Sequence, residues 1–71
     1  MASRREQARD LGILVANSVF SSNVPKSQLH DTVMREAEKE AFMTSLDDQL
    51  SEVRGAAKER LTELLKIRLP G

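Results

Sequence analysis

Three groups of side chains in this sequence have the types that chemistry uses. His30 and Asp31 are its only neighbouring histidine and acid, and Ser27 lies three residues before the imidazole. Serine, histidine and aspartate are the parts of a nucleophilic relay. On a helix, adjacent residues diverge by about a hundred degrees, so His30 and Asp31 cannot form that relay with each other, and only Ser27 comes within reach of His30. No glycine-rich oxyanion loop or nucleophile elbow accompanies them. An exposed histidine near a helix start accounts for the trio, and no catalytic residue is assigned.

The second group is the run "EAEKE", with Glu36, Glu38 and Glu40, followed by Asp47 and Asp48. Paired carboxylates hold divalent cations, but spacing by two fans the groups around a helix. Only Glu36 and Glu40 share a face, and the run lacks the ligand order and turn glycine of a calcium loop. The chain has no cysteine, which removes disulfides and cysteine-based zinc sites. No metal and no cofactor is expected, and the acids read as a solvated helix face.

The third group is basic. Arg4, Arg5 and Arg9 cluster near the N-terminus and would reach phosphates if a dimer paired two such arms. A helix, a turn and a second helix across "SSNVPKSQLHDTVM", residues 21–34, also have the order of a DNA-reading corner. The proposed reading helix, however, carries Lys26, Arg35 and Lys39 against Asp31, Glu36, Glu38 and Glu40. A helix of net negative charge is repelled by phosphate. The whole chain has 11 basic and 11 acidic residues, without the plainly basic character of a nucleic-acid-binding domain. Nucleic acid is therefore the alternative partner, through the arginine arm or the corner.

These groups must be positioned by helices. Charged residues make up 31% of the chain, spread among leucine and alanine, with only three glycines and two prolines. That mixture belongs to an all-α protein. Ser3 and Glu6 have the spacing of a capping box and start a first helix over about 4–20. Its apolar positions form one stripe of Ala8, Leu11 and Val15 with Ser18, widened by Leu14 and Val19, and a second of Ile13, Ala16 and Phe20. A helix apolar on most of its circumference is buried on more than one side. "SSN" at 21–23 stops it by competing for the backbone.

Pro25 suits the first position of a second helix over about 25–42, whose stripe is Leu29, Val33, Ala37 and Ala41, spaced by four. From Leu46 the period changes to alternating four- and three-residue steps through Leu50, Val53, Ala57, Leu64 and Ile67, broadened by Leu61 and Leu65. The slip around "FMTSLDD" favours a break over one long bent helix, with Thr44 or Ser45 capping a third helix over about 46–69. The expected fold is a single helical domain spanning 1–71, a bundle of two or three antiparallel helices.

Seventy-one residues are few for an independent core, and the third helix is expected to be the longest. Both points favour a homodimer whose seam is Leu46, Leu50, Val53, Ala57, Leu61, Leu64 and Ile67. Gly55-Ala56-Ala57 within that helix is either tolerated or a notch where another helix backbone comes close. Apolar residues left over after the bundle forms are the candidate contact for a second protein: Met34, Phe42 and Met43 around the second corner, and Leu65 and Leu69 near the end. Glu38, Glu40, Asp47 and Asp48 ring the first patch and favour a basic target.

The terminal run "KERLTELLKIRLPG" interleaves acids with bases and lacks large aromatics, which disfavours a membrane surface. The charged start does not read as a signal peptide, and the longest apolar run, "ILVA", is too short to span a bilayer. The expectation from sequence is a small cytoplasmic regulatory or adaptor protein without enzymatic activity.

Overall fold

The computed structural model describes residues 3–68 and consists of three α-helices: α1, Arg4–Ser21; α2, Lys26–Met43; and α3, Leu50–Arg68. A short 3₁₀ turn, Asp47–Gln49, leads into α3. The all-α bundle expected from the sequence is thus present, with three helices rather than two.

Each boundary has a local cause. The Ser3 hydroxyl accepts from the Glu6 amide at 3.1 Å and starts α1, which is the N-cap half of the expected capping box. At the other end, the Ser21 hydroxyl donates to the Asn17 carbonyl at 2.9 Å, and the Ser22 hydroxyl donates to the Ser18 carbonyl at 3.0 Å, taking up an acceptor that the helix leaves open. Pro25 stands one position earlier than expected. It is the N-cap of α2, with extended backbone, and its carbonyl accepts from the Gln28 amide at 2.8 Å.

The expected break after α2 is present, but its residues act differently from the expectation. Thr44 and Ser45 close α2 instead of opening α3. The Leu46 amide donates back to the Ala41 carbonyl at 2.7 Å and the Ser45 amide to the Phe42 carbonyl at 3.3 Å. Ser45 takes the left-handed conformation with φ 60°. This is a Schellman ending with serine in the place glycine usually holds, and the accompanying apolar contact fits the burial of both Leu46 and Ala41. Thr44 adds a hydroxyl bond to the Glu40 carbonyl at 2.7 Å. Asp47 and Asp48 fall in the first turn that follows, where the helix dipole favours anions.

The helices run up, down and up. Contacts from α1 to the third segment rise together in number, from Arg4 with Asp48, through Gly12 beside Val53 and Ala57, to Asn17 with Arg60. The α1 and α3 axes are therefore parallel neighbours, while α2 returns antiparallel between them. With α3 at 19 residues against 18 for each of the others, the excess length that favoured a dimer is absent from the described chain.

The core is small-residue and tight. Its buried apolar side chains are Ala8, Val15, Ala16 and Val19 from α1, Leu29, Val33, Ala37 and Ala41 from α2, and Leu46, Val53, Ala56, Ala57 and Leu61 from the third segment. The α2 stripe is the one expected from spacing by four. On α1 Ala8, Val15, Ala16 and Val19 are buried as expected, but the rest of the line differs. Gly12 is buried with Ala8 and Ala16, all spaced by four, and Ile13 and Leu14 are left at the surface. A Cβ placed on Gly12 would stand 2.9 Å from the Ala57 nitrogen and 3.0 Å from the Ala56 Cβ, and would collide with the Val53 carbonyl oxygen. The notch foreseen at Gly55-Ala56-Ala57 is thus half right. Ala56 and Ala57 do receive a close backbone, but it is that of α1 in the same chain, while Gly55 faces open space.

Candidate partner-binding surfaces

The polar residues with chemical potential are placed apart or paired off. His30 Nδ1 lies 3.9 Å from Asp31 Oδ1, with both side chains exposed at the start of α2, and Ser27 makes no side-chain hydrogen bond to the imidazole. No buried polar or charged side chain lies among the described residues. Nor do three of their histidine, aspartate or glutamate side chains come close enough together to hold a metal ion.

The arginines form a clasp between α1 and α3. Arg4 donates from Nε to Asp48 Oδ2 at 3.2 Å and from Nη2 to Asp48 Oδ1, and also caps the Ser45 carbonyl at 2.7 Å. Arg9 reaches Glu59 at 2.9 Å and Glu52 at 3.5 Å, and Arg5 lies 3.5 Å from Glu52. Further along, Arg60 donates to Asn17 at 2.9 Å. The hydrogen bond from Arg4, with its charge, holds the Asp48 carboxyl below the usual range, and the same bond raises the Arg4 guanidinium. Arg4, Arg5 and Arg9 therefore do not form a free arm. They sit in the first turns of α1 and already meet carboxylates of their own chain. Spacing alone could not reveal this, because the partners are more than forty residues away.

The expected dimer seam is mostly filled from within. Leu46, Val53, Ala57 and Leu61 are buried in the bundle, and Leu50 and Leu64 are half-buried. Only Ile67 stands clear. The heptad register of α3 is satisfied by α1 and α2, which present Ala, Val and Gly to it, so a second copy would have to displace them to use this seam.

The expected contact residues divide in the same way. Met34 and Leu65 pack against the core and belong to the fold. Phe42 and Met43 are outside it, and Leu69 lies outside the described residues. Four large apolar side chains are more than half exposed: Leu14 at 64%, Phe42 at 60%, Met43 at 70% and Ile67 at 74%. Leu14 was expected in the core, and its position follows from the rotation of α1 that seats Gly12 on α3.

Two concavities accompany these residues. One, of about 460 Å³, lies under the turn between α1 and α2, among Phe20, Val24, Pro25, Leu29 and Leu65. The other, of about 400 Å³, is a groove between α1 and α2, with Leu11 and Leu14 on one wall, Val15 and Val19 beneath, and Glu36 and Glu40 on the other wall. Glu36 and Glu40 are half-buried there. No protein-family model, curated protein or solved structure matches this chain, so these surfaces are read from their own chemistry.

Proposed function

We propose that this chain is a small cytoplasmic regulatory or adaptor module without catalytic activity, which binds another protein through its helix surfaces. The observation that carries the reading is the inversion of size between core and surface. Six of the thirteen buried apolar residues are alanine, while Leu14, Phe42, Met43 and Ile67 are mostly in solvent. Full burial of such a side chain is worth about 1.5–3 kcal/mol, and these four forgo more than half of it in the free chain. Large apolar anchors outside a closed bundle, beside flexible methionine, suit a surface completed by a partner.

Other features support the same reading. Each of the three arginines that nucleic-acid binding would use lies within 3.5 Å of a carboxylate of its own chain. Among the described residues no helix is long and apolar enough to cross a membrane. Homodimerisation is the special case in which the partner is a second copy. Since the α3 seam is occupied, it would use the exposed residues instead, and light scattering distinguishes 7.9 kDa from twice that mass.

The test uses exposed positions, where folding is spared. Phe42→Ala, Met43→Ala and Leu14→Ala should leave the circular dichroism melt within a few degrees. At least one of them should reduce capture of a native partner about tenfold, which corresponds to about 1.4 kcal/mol. Capture of nucleic acid but no protein, or protein capture indifferent to all three substitutions, would refute the proposal.

A further inference from the structure

The groove between α1 and α2 has a chemistry of its own. Leu11, Leu14 and Ser18 follow one another at steps of three and four along α1, which is the stripe a neighbouring helix reads. Seven rises of about 1.5 Å from Leu11 to Ser18 make the groove roughly 10 Å long, two helical turns. Its far wall is Glu36 and Glu40, one turn apart on α2. Neither carboxylate forms an ion pair or a side-chain hydrogen bond among the described residues, although both are half-buried. Asp10, one turn before Leu14 on α1, is exposed and also without a partner among the described residues. Lys39 is exposed and pairs with none of them. The groove is thus an apolar trough walled on one side by uncompensated negative charge, in a chain whose other half-buried acid, Glu52, is already matched by arginines.

We infer that this groove receives a basic amphipathic helix from another protein, which packs as a fourth helix against α1 and α2. The inference rests on the protein-binding reading above and assigns its surface and partner chemistry. Apolar residues at steps of three and four on the incoming helix lie on Leu11, Leu14 and the valines beneath, and lysine or arginine residues one turn apart on its flank meet Glu36 and Glu40. Three packed helices with an open groove between α1 and α2 become a four-helix bundle by this addition. Charge selects among the occupants. A second copy joined face to face by a two-fold axis across the helices would set Glu36 and Glu40 against the same acids of the other copy, where like charges oppose the pairing, and an axis along the helices would press them onto Leu11 and Leu14, burying the carboxylates without a cation. Anionic lipid and nucleic acid are repelled by the same wall.

The probe is a synthetic amphipathic helix with leucines at steps of three and four and lysines on its other faces, labelled for fluorescence anisotropy. Its control replaces every lysine with glutamate. The full chain should bind the lysine helix at least about tenfold more tightly than the glutamate helix, and less tightly as salt is raised. Glu36→Gln with Glu40→Gln should reduce binding of the lysine helix about tenfold, and Leu14→Ser comparably, with the thermal melt unchanged. Glu38→Gln, at an exposed position off the groove, should leave binding as it is. Amide shifts on adding the peptide should centre on Leu11, Leu14, Ser18 and Glu36. Equal binding of both helices, no binding of either, insensitivity to the Glu36 and Glu40 changes, or shifts centred on Phe42 or Ile67 would each overturn the groove assignment. So would sedimentation showing that the chain dimerises through this face. The protein-binding reading is judged separately. Partner capture lost in Phe42→Ala but kept in Leu14→Ser would preserve it while removing the groove, and capture indifferent to every exposed substitution would remove both.

Discussion

Two glycines in helices of this protein should respond in opposite directions to the same substitution. In a helix interior, glycine to alanine is worth about 1 kcal/mol in favour of alanine, from backbone entropy alone. At Gly55 nothing lies within 4 Å of the added methyl, so the gain should be realised nearly in full. At Gly12 the methyl meets the Val53 carbonyl oxygen, the Ala57 nitrogen at 2.9 Å and the Ala56 Cβ at 3.0 Å. Two of those atoms are helix backbone and cannot turn aside, so α1 and α3 must separate by about an ångström. A gap of that size forfeits a quarter to a half of each dispersion contact along the seam, and overpacking of this kind costs about 1–3 kcal/mol. Taking the upper end because backbone is struck, and subtracting the propensity gain, Gly12→Ala should destabilise by about 2 kcal/mol. For a domain of this length, about 4–8 °C accompanies each kcal/mol. Thermal melts followed at the helical circular dichroism band should therefore show Gly12→Ala lower by about 8–16 °C and Gly55→Ala higher by about 4–8 °C. A Gly12→Ala variant melting at or above the wild type would refute the close parallel crossing of α1 and α3.

The other expectations are read from the same structure. Ser45→Gly should raise stability by about 1 kcal/mol, because the left-handed backbone at that position costs a residue with a Cβ about 1–2 kcal/mol; an unchanged denaturant midpoint would count against the Schellman ending. The lowered Asp48 carboxyl stabilises the fold above the ordinary aspartate value of about 3.9 and loses that contribution as pH falls through its depressed value. Wild type and Asp48→Asn should accordingly differ by a small, constant amount above about pH 4 and converge below it, whereas a difference independent of pH in acid melts would contradict the Arg4 pairing. Leu61→Ala should cost about 2–5 kcal/mol as a buried truncation, while Leu14→Ala should stay within about 0.5 kcal/mol; urea titrations that ranked them the other way would reverse the inside and outside of this bundle.

What the sequence determined by itself is local. Ser3 with Glu6, the serines after residue 20 and Pro25 bound α1 and α2 because caps and stops act over a few residues, and the register of Leu29, Val33, Ala37 and Ala41 was legible because a helix repeats every 3.6 residues. The change of period near Leu46 likewise exposed the break, though not that Ser45 would end one helix instead of Thr44 or Ser45 starting the next, since both ends favour short polar side chains. Tertiary structure decided the remainder. Gly12 interrupts an apolar pattern on paper, yet it is buried because a glycine lets α3 approach, and the rotation that follows puts Leu14 outside against the rule of periodicity. The α3 heptads looked like a seam for a second chain, but the same stripe is filled by the alanines and valines of α1 and α2, and periodicity does not say whose side chains fill it. Arg4, Arg5 and Arg9 looked like a free basic arm until parallel packing set them against Asp48, Glu52 and Glu59. The groove of Leu11, Leu14, Glu36 and Glu40 exists only through packing, because its two walls belong to different helices, and no spacing within one helix encodes the distance to another.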